Sequence, residues 1–334
     1  MPVGGDGPEG FYERAGWRAA ANAVESHGPV HLNWAFRLPL EPDGSTATPF
    51  GGLRRIEATA TKSQGELERL TAALRTAKFP VLIAGPSAVR PFDSPTSASL
   101  LRSAEDLNIA VLADVLSGLR GNGSLLAMPS LAGRGSPPPV DLIIRIGDTP
   151  TAKATRLWWE THADVDHILL DPHDDWQDPS HLLTDRLRSD PEWLLRQAKE
   201  LIDAPTPLAA HLEAWHGYCG RTEEAVTAVL DQSTQFTEAH VARTLGRWAS
   251  EGSTRVLVAS SSMPVRDLDD YSPADSGAPV LANRGVNGID GVVASAIGVS
   301  RASEGPITVL IGDCLLYTSP SPRDRTRSRM PSSA

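Results

Sequence analysis

The fold is indicated most clearly by residues 255–267, which read Arg-Val-Leu-Val-Ala-Ser-Ser-Ser-Met-Pro-Val-Arg-Asp. The apolar run that ends at Ala259 is rich in valine, which is typical of a strand buried on both faces of a parallel sheet. Small polar residues and Arg266 follow that run directly. In open α/β sheets, ligands bind in the loops beyond the carboxyl ends of the strands. The stretch therefore predicts a buried parallel strand that leads into a ligand-binding loop.

Two later stretches repeat this arrangement. A strand pattern at 279–281 leads into residues 282–291, which read Ala-Asn-Arg-Gly-Val-Asn-Gly-Ile-Asp-Gly, and a third at 306–311 leads into Gly312 and Asp313. Arginine binds carboxylates and phosphates through paired hydrogen bonds, and glycine lets a ligand approach the backbone closely. A carboxylate at a strand end is a suitable Mg²⁺ ligand beside a diphosphate. The three stretches together predict a site for a polyanionic small molecule.

Composition narrows the class of protein. The chain has 334 residues, 40% of them hydrophobic, and a formal net charge of −10, which argues against nucleic acid as a partner. Cys219 and Cys314 have no metal-ligand spacing, so we expect neither a metal cluster nor a disulfide. No apolar run is long enough to span a bilayer, and the first residues lack a secretory signal pattern. We therefore expect a cytoplasmic protein.

The pattern of helices and strands divides the chain into four parts. Helical and β patterns alternate over residues 61–205, which predicts a central α/β domain with a parallel sheet covered by helices on both faces. Residues 206–313 begin with helical patterns and continue with the three site strands, so they predict the start of a second α/β domain. Residues 1–60 hold a helix and a strand pattern over 12–33 and a linker rich in proline and glycine. Residues 314–334 are polar and basic, and we expect them to be an artefactual tail.

These motifs, in this order, resemble the 2-succinyl-5-enolpyruvyl-6-hydroxy-3-cyclohexene-1-carboxylate synthases, which are thiamine-diphosphate enzymes of menaquinone biosynthesis. Further matching stretches are Gly-Pro-Val-His-Leu-Asn at 28–33, Leu-Ser-Gly-Leu-Arg at 116–120, and Asp171 with Pro172. The resemblance runs from Gly28 to Asp313. It implies that the chain is a fragment, with a remnant of the pyrimidine-binding domain before the central domain and the truncated start of the diphosphate-binding domain after it.

The resemblance also implies a reaction and a set of site residues. A transferase of this kind would use thiamine diphosphate with Mg²⁺ or Mn²⁺, and would add decarboxylated 2-oxoglutarate to isochorismate. Gly312 and Asp313 would bind the cofactor, and Asp313 would also bind the metal. The residues that would contact substrate are Ser262, Arg266, Arg284, Ile289 and Lys153. The activating glutamate would lie on a domain that residues 1–334 do not contain, so we expect no complete catalytic set, no activity of this fragment alone, and at least a homodimer for the intact enzyme.

Each assignment has a competing interpretation. Asp313 could be a helix N-cap, Arg266 could form a surface ion pair with a neighbouring aspartate, Ile289 could be core packing, and Lys153 could be a solvated lysine at a helix start. At the level of function, another thiamine-diphosphate enzyme, of the acetolactate synthase or 2-oxo acid decarboxylase type, is one alternative. A non-catalytic module in residues 61–205 that binds a nucleotide or an anion is another, although the G-x-G-x-x-G fingerprint of dinucleotide sites is absent.

Overall fold

In the computed structural model the chain falls into two units, residues 1–61 with 172–175, and residues 62–171 with 176–334. The structure describes residues 15–20, 23, 30, 32, 62–90, 92–121, 125–126, 136–173, 176–203, 209–251, 255–273, 275–284, 291–313 and 315. In the first unit, residues 15–20 and 23 are helical, whereas Val30 and Leu32 are not in a strand. The remainder of the helix and strand predicted over 12–33 lies outside the described residues. Both sheets belong to the second unit.

The first sheet has six described strands, all parallel. They are β1 (Pro80–Ala84), β2 (Ala110–Ala113), β3 (Leu125–Leu126), β4 (Leu142–Ile146), β5 (Asp166–Leu170) and β6 (Asp185–Leu187). Their order is β3-β2-β1-β4-β5-β6, so β1 lies at the centre, with Leu82 opposite Val111 and Ile144. The direction of winding reverses between β1 and β4. In doubly wound sheets, that switch point is where ligands usually bind.

Helices cover both faces of this sheet, as the alternating pattern predicted. They are α1 (Gln64–Thr76), α2 (Ser94–Asp106), α3 (Lys153–Glu160), α4 (Pro191–Leu201) and α5 (Ala209–Gln232). Buried residues of α1, α2 and α4 form one core with Leu82 and Ala84 of β1, and those of α3 and α5 form another with Val81 and Ile83. Alternate residues of one strand therefore serve two cores, which explains why β1 is apolar at every position.

The second sheet has three described strands, again parallel, in the order β8-β7-β9. The elements around it are α6 (Glu238–Ser250), β7 (Val256–Ala259), α7 (Met263–Tyr271), β8 (Val280–Ala282), α8 (Val292–Ala302) and β9 (Ile307–Leu310). Leu257 and Ala259 pack with Val265 and Leu268 of α7 and with Val115, from the loop after β2. That loop thus joins the core of the second sheet although it follows a strand of the first.

Three elements differ from the sequence expectation. The short strands β3 and β6 were not predicted, and residues 263–271 form a helix where a loop was expected. Pro264 is in the first turn of α7, where a missing N–H costs nothing, and Val265 and Leu268 lie on its buried side. A run of small polar residues followed by proline resembles a loop until this apolar pair is considered. Among the described helices, none is both long and apolar enough to cross a membrane.

Candidate functional site

The second sheet places the three predicted site loops at one edge. Because β7, β8 and β9 are parallel neighbours, their carboxyl ends lie side by side. Ser262 follows β7, Arg284 follows β8 and Asp313 follows β9, each within three residues of the strand end. All three are exposed. At this edge the fold therefore supplies an exposed arginine and a hydroxyl group, which an anion site needs. It also supplies a carboxylate, which a metal site needs.

Hydrogen bonds tie these loops together. The backbone N–H of Ser260 donates to the Leu310 carbonyl of β9 at 2.9 Å, and Ser261 Oγ donates to the Asn283 carbonyl at 2.7 Å. Asn283 Nδ2 in turn donates to Ser295 Oγ of α8 at 3.1 Å. Sequence reasoning gave Ser261 and Asn283 no role, although both lie in the motifs that flank Ser262 and Arg284. They fix the loops from which the site residues project.

Ser262 has an unusual backbone, with φ 74° and ψ −132°. A non-glycine residue at positive φ is uncommon and typically costs about 1–3 kcal/mol, and such strain clusters at functional sites. Ser262 is the N-cap residue of α7, yet its side chain makes no capping hydrogen bond. Its hydroxyl is therefore not used to stabilise the helix, and it is exposed beside a helix N-terminus that favours anions.

Arg266 lies in the first turn of α7, and not in a loop as predicted. Its side chain is exposed, and Nη1 lies 3.9 Å from Met263 Sδ. The competing interpretation was an ion pair with a nearby aspartate, but Arg266 forms no ion pair with another described residue. Of those aspartates, Asp269 is buried and paired with Arg120 at 2.7 Å. The charge of Arg266 acts on the pKa values of Asp267 and Asp270, but its exposed guanidinium forms no direct ion pair with either.

Arg284 is exposed directly after β8, between Asn283 and the residues that lead to α8. It forms no ion pair with another residue of the described part of the chain. Ile289, predicted to line the same pocket, lies outside the described residues, so its role stays a prediction.

Gly312 and Asp313 follow β9, as predicted. The Leu315 N–H donates to the Gly312 carbonyl at 3.2 Å, so Asp313 is the first residue inside a turn and not its cap. Its exposed carboxylate suits a hard cation such as Mg²⁺ or Mn²⁺, which takes oxygen ligands and keeps several waters. Within the described ranges, no cluster of three or more His, Cys, Asp or Glu side chains could hold a metal ion. The described residues therefore supply one ligand of the expected metal site.

Lys153 is the first residue of α3, two residues after the buried Thr151, and its side chain is exposed. Its helix packs on the first sheet, and no contact in the described part of the chain joins Lys153 to Arg266 or Arg284. The pKa of the partly exposed Glu160 carboxyl is lowered, mainly by a hydrogen bond from Ser180, and also by the charges of Arg156 and Lys153. The side chain of Lys153 is therefore solvated, as the competing interpretation expects, but it also lies at a helix N-terminus, which favours anions.

The switch point of the first sheet is closed by backbone. A Cβ at Gly85 would lie 1.7 Å from the Asp148 carbonyl oxygen, and one at Gly147, where φ is 73°, would lie 2.5 Å from the Pro86 carbonyl oxygen. The loops after β1 and β4 also exchange hydrogen bonds, from Gly85 N to Ile146 O at 3.0 Å and from Asp148 N to Pro86 O at 2.8 Å. Two chain segments therefore fill the place where a dinucleotide lies in doubly wound folds.

The fold matches that of a known class of enzyme. An X-ray structure described as a thiamin diphosphate-dependent enzyme from Mycobacterium smegmatis has a TM-score of 0.57 with this chain, covering 92% of this chain and 58% of that one at 19% identity. The chain thus shares the α/β fold of that protein, and the predicted fold class is confirmed. No protein-family model matches the sequence.

Two curated relatives narrow the similarity to one kind of enzyme. The chain is 32% identical to 2-succinyl-5-enolpyruvyl-6-hydroxy-3-cyclohexene-1-carboxylate synthase of Listeria monocytogenes, over 90% of this chain and 53% of the relative. It is 34% identical to the synthase of the same name from Rubrobacter xylanophilus, over 86% of this chain and 52% of that one. The chain spans about half the length of the curated relatives it matches. Over that span it is a homologue of these synthases, which confirms the resemblance found in its motifs.

Proposed function

We propose that this chain forms part of a thiamine-diphosphate-dependent synthase that adds decarboxylated 2-oxoglutarate to isochorismate. The products would be 2-succinyl-5-enolpyruvyl-6-hydroxy-3-cyclohexene-1-carboxylate and CO₂. One observation carries the proposal: the carboxyl edge of the second sheet presents Arg284 and, from the first turn of α7, Arg266, both exposed and without an ion pair among the described residues. Both substrates carry carboxylates, and the homologous synthases support this assignment.

The roles follow from the chemistry of the side chains. Arg266 and Arg284 would each bind a carboxylate, because charge-assisted bidentate pairs are roughly twice as strong as neutral hydrogen bonds. Ser262 would add a hydroxyl contact, and Asp313 would be one ligand of the Mg²⁺ or Mn²⁺ ion next to Gly312. Thiamine diphosphate, when bound, supplies the electron sink for decarboxylation, whereas the chain supplies binding and orientation. Lys153 and Ile289 remain proposed substrate contacts, and the intact enzyme is proposed to be a cytoplasmic homodimer or larger.

The two alternatives make different demands on the structure. An acetolactate synthase or 2-oxo acid decarboxylase acts on substrates with fewer carboxylates, and it has less use for two exposed arginines at one edge. A nucleotide-binding module would need room at the switch point of the first sheet, where the glycine loops of β1 and β4 are in contact. Both observations favour the synthase.

Calorimetric titration of the 334-residue chain with 2-oxoglutarate tests the proposal, with pyruvate as the comparison ligand. We expect Arg266→Met and Arg284→Met each to weaken 2-oxoglutarate binding by at least about tenfold, since a charged hydrogen-bonded pair is lost. Arg196→Met is the matched control, because Arg196 is also exposed and pairs with Glu192 on α4. Equal affinity for pyruvate, or unchanged affinity in both site variants, would contradict the proposal.

Turnover is a separate prediction. Residues 1–334 alone are expected to show no conversion of isochorismate with 2-oxoglutarate, thiamine diphosphate and Mg²⁺. Loss of isochorismate in that mixture, measured by absorbance, would overturn this expectation while supporting the assignment of the substrates.

A further inference from the structure

A buried ionic cluster links the loop after β2 to α7. Arg120 and Asp269 have side chains that are 3% and 1% exposed. Arg120 Nη2 donates to the Asp269 carbonyl and to its Oδ1, both at 2.7 Å, and Arg120 Nε donates to the Ala113 carbonyl at 2.9 Å. The Val115 N–H donates to the same Oδ1 at 2.8 Å. The guanidinium thus holds the end of β2 and the last turn of α7 at once.

The cluster also reaches the loop after β4. Asp114 Oδ1 accepts the Leu116 N–H and Oδ2 accepts the Thr151 N–H, both at 2.7 Å. Thr151 lies two residues before Lys153, and Asp269 lies one helical turn after Arg266. The same buried groups therefore anchor the two segments from which these proposed substrate contacts project.

The charges in the cluster do not balance if every group is ionised. Two carboxylates face one guanidinium, and Asp269 Oδ2 is buried with no hydrogen-bond partner among the described residues. Burial raises the pKa of Asp114 as well, but both of its oxygens accept N–H donors, which favours the ionised form of Asp114 over that of Asp269. An unpaired buried charge is far more costly than a neutral polar group. Burial and the nearby Asp114 charge raise the pKa of Asp269 well above its usual range.

We propose that Arg120 and Asp269 are a positioning pair for the anion site, and that Asp269 serves in it as a neutral carboxyl group with its proton on Oδ2. The pair fixes α7 against the loop after β2 and so sets the place of Arg266 at the edge of the second sheet. The inference rests on the proposed function for the role of Arg266, whereas the anchoring of α7 is independent of it.

The charged groups that surround Asp269 define its pH response. On its own helix, the charge of Asp270 acts on Asp269. Helix α6 packs on α7 and carries two charged groups. Arg243 Nη1 donates to the Tyr271 carbonyl at 3.2 Å, and the charge of Glu238 raises the pKa of Asp267. Among the described residues, only Arg120 offsets the negative charge at Asp269 directly. Because the folded pKa of Asp269 lies above the unfolded value of about 3.9, this group lowers stability progressively as pH rises from about 4 through its folded pKa.

Hydrogen exchange measured by mass spectrometry tests the anchoring. In Arg120→Met we expect residues 263–271 to exchange at least about tenfold faster, because a buried ionic contact is broken, with little change in β4 and β5. Arg145→Met is the matched control: Arg145 is also buried, pairs with Asp178 at 2.8 Å and lies over the Trp159 ring at 4.6 Å. It should loosen residues 166–187 and spare α7. Equal loosening of both regions by Arg120→Met, or none in α7, would overturn the proposal.

A second comparison tests whether Asp269 carries a proton. Asp269→Asn retains the Oδ1 acceptor and places an N–H where the proton is proposed, so exchange of α7 at pH 7 should stay within about twofold of the parent chain. Asp178→Asn should be disruptive, since one carboxylate there faces one guanidinium. After correction for intrinsic rates, α7 exchange should rise less steeply with pH in Asp269→Asn than in the parent chain, because Asp270 still titrates in the variant. If α7 exchanges as fast in Asp269→Asn as in Arg120→Met, Asp269 is charged, and the proposal that it is a neutral carboxyl group is refuted.

Titration with 2-oxoglutarate separates this inference from the proposed function. If the parent chain binds 2-oxoglutarate, Arg120→Met should weaken it and Asp269→Asn should not. If the parent chain binds none, the proposed function fails, while the exchange experiment still decides whether the pair positions α7. Unchanged affinity in Arg120→Met, in a parent chain that binds, would refute the positioning role.

Discussion

Replacing Gly147 by alanine is expected to destabilise the second unit strongly. Gly147 has φ 73°, a conformation that costs an L-residue about 1–2 kcal/mol. The new Cβ would lie 2.5 Å from the Pro86 carbonyl oxygen and 2.7 Å from the Ala88 nitrogen. Both atoms are backbone, so the loops after β1 and β4 must separate, and overpacking of this kind typically costs about 1–3 kcal/mol. The sum of about 2–5 kcal/mol is a large share of the 5–15 kcal/mol typical of domains.

Urea unfolding monitored by tryptophan fluorescence measures this loss, because Trp158, Trp159 and Trp215 are buried against the first sheet. The matched control is Gly220→Ala in the interior of α5, where a Cβ would meet no atom within 4 Å. There alanine should stabilise the protein by up to about 1 kcal/mol, since glycine is a poor helix former. A Gly147→Ala variant within about 0.5 kcal/mol of the parent chain, with an unchanged m value, would refute the close contact of the two loops.

Substitutions at three further positions test the helices, the core and the buried charges. Burial, and then the charge of Asp267, raise the pKa of Asp270 to about 6. The native state therefore binds the proton of Asp270 more tightly than the unfolded state does, and stability should fall as pH rises from about 4 to about 6. Asp270→Asn should reduce that slope in urea unfolding, and an identical slope would contradict the assignment. Asp190→Ala removes the acceptor of the Trp193 N–H, 2.7 Å away at the start of α4, and should cost about 1 kcal/mol in thermal unfolding, whereas Asp190→Asn should cost less. Trp215 is fully buried, so Trp215→Ala should lower the free energy of unfolding by about 3–5 kcal/mol, measured by circular dichroism. A smaller loss would mean that the core refills the cavity.

The central strands could be predicted from local pattern, and the edge strands could not. The apolar run at 79–84 predicted a buried strand, and β1 is found at Pro80–Ala84 with every residue buried. The short β6 reads Asp-Arg-Leu, which has no strand pattern, and it exists because Ile168 of β5 pairs with Asp185. Strand formation there depends on a partner already in place, and that dependence is not written in the local sequence.

The candidate site was predictable in outline for a similar reason. Parallel strands bring their carboxyl ends to one edge, so the order of the motifs was enough to group Ser262, Arg284 and Asp313. Arg266 was assigned to a loop, because the helix that carries it is defined by the burial of Val265 and Leu268 against the second sheet. The roles of these residues in binding stay predictions.

The sequence by itself determined the parallel α/β class, the family resemblance and the residues that follow the strands, because hydrophobic pattern and motif order are local properties. Only the tertiary structure decided which charges are paired and which spaces are closed. Arg120 meets Asp269 across 149 residues, and Gly85 meets the loop of Gly147. Such contacts arise when separate segments are packed into one core, where the cost of an unpaired charge or an overlapping atom selects a single arrangement.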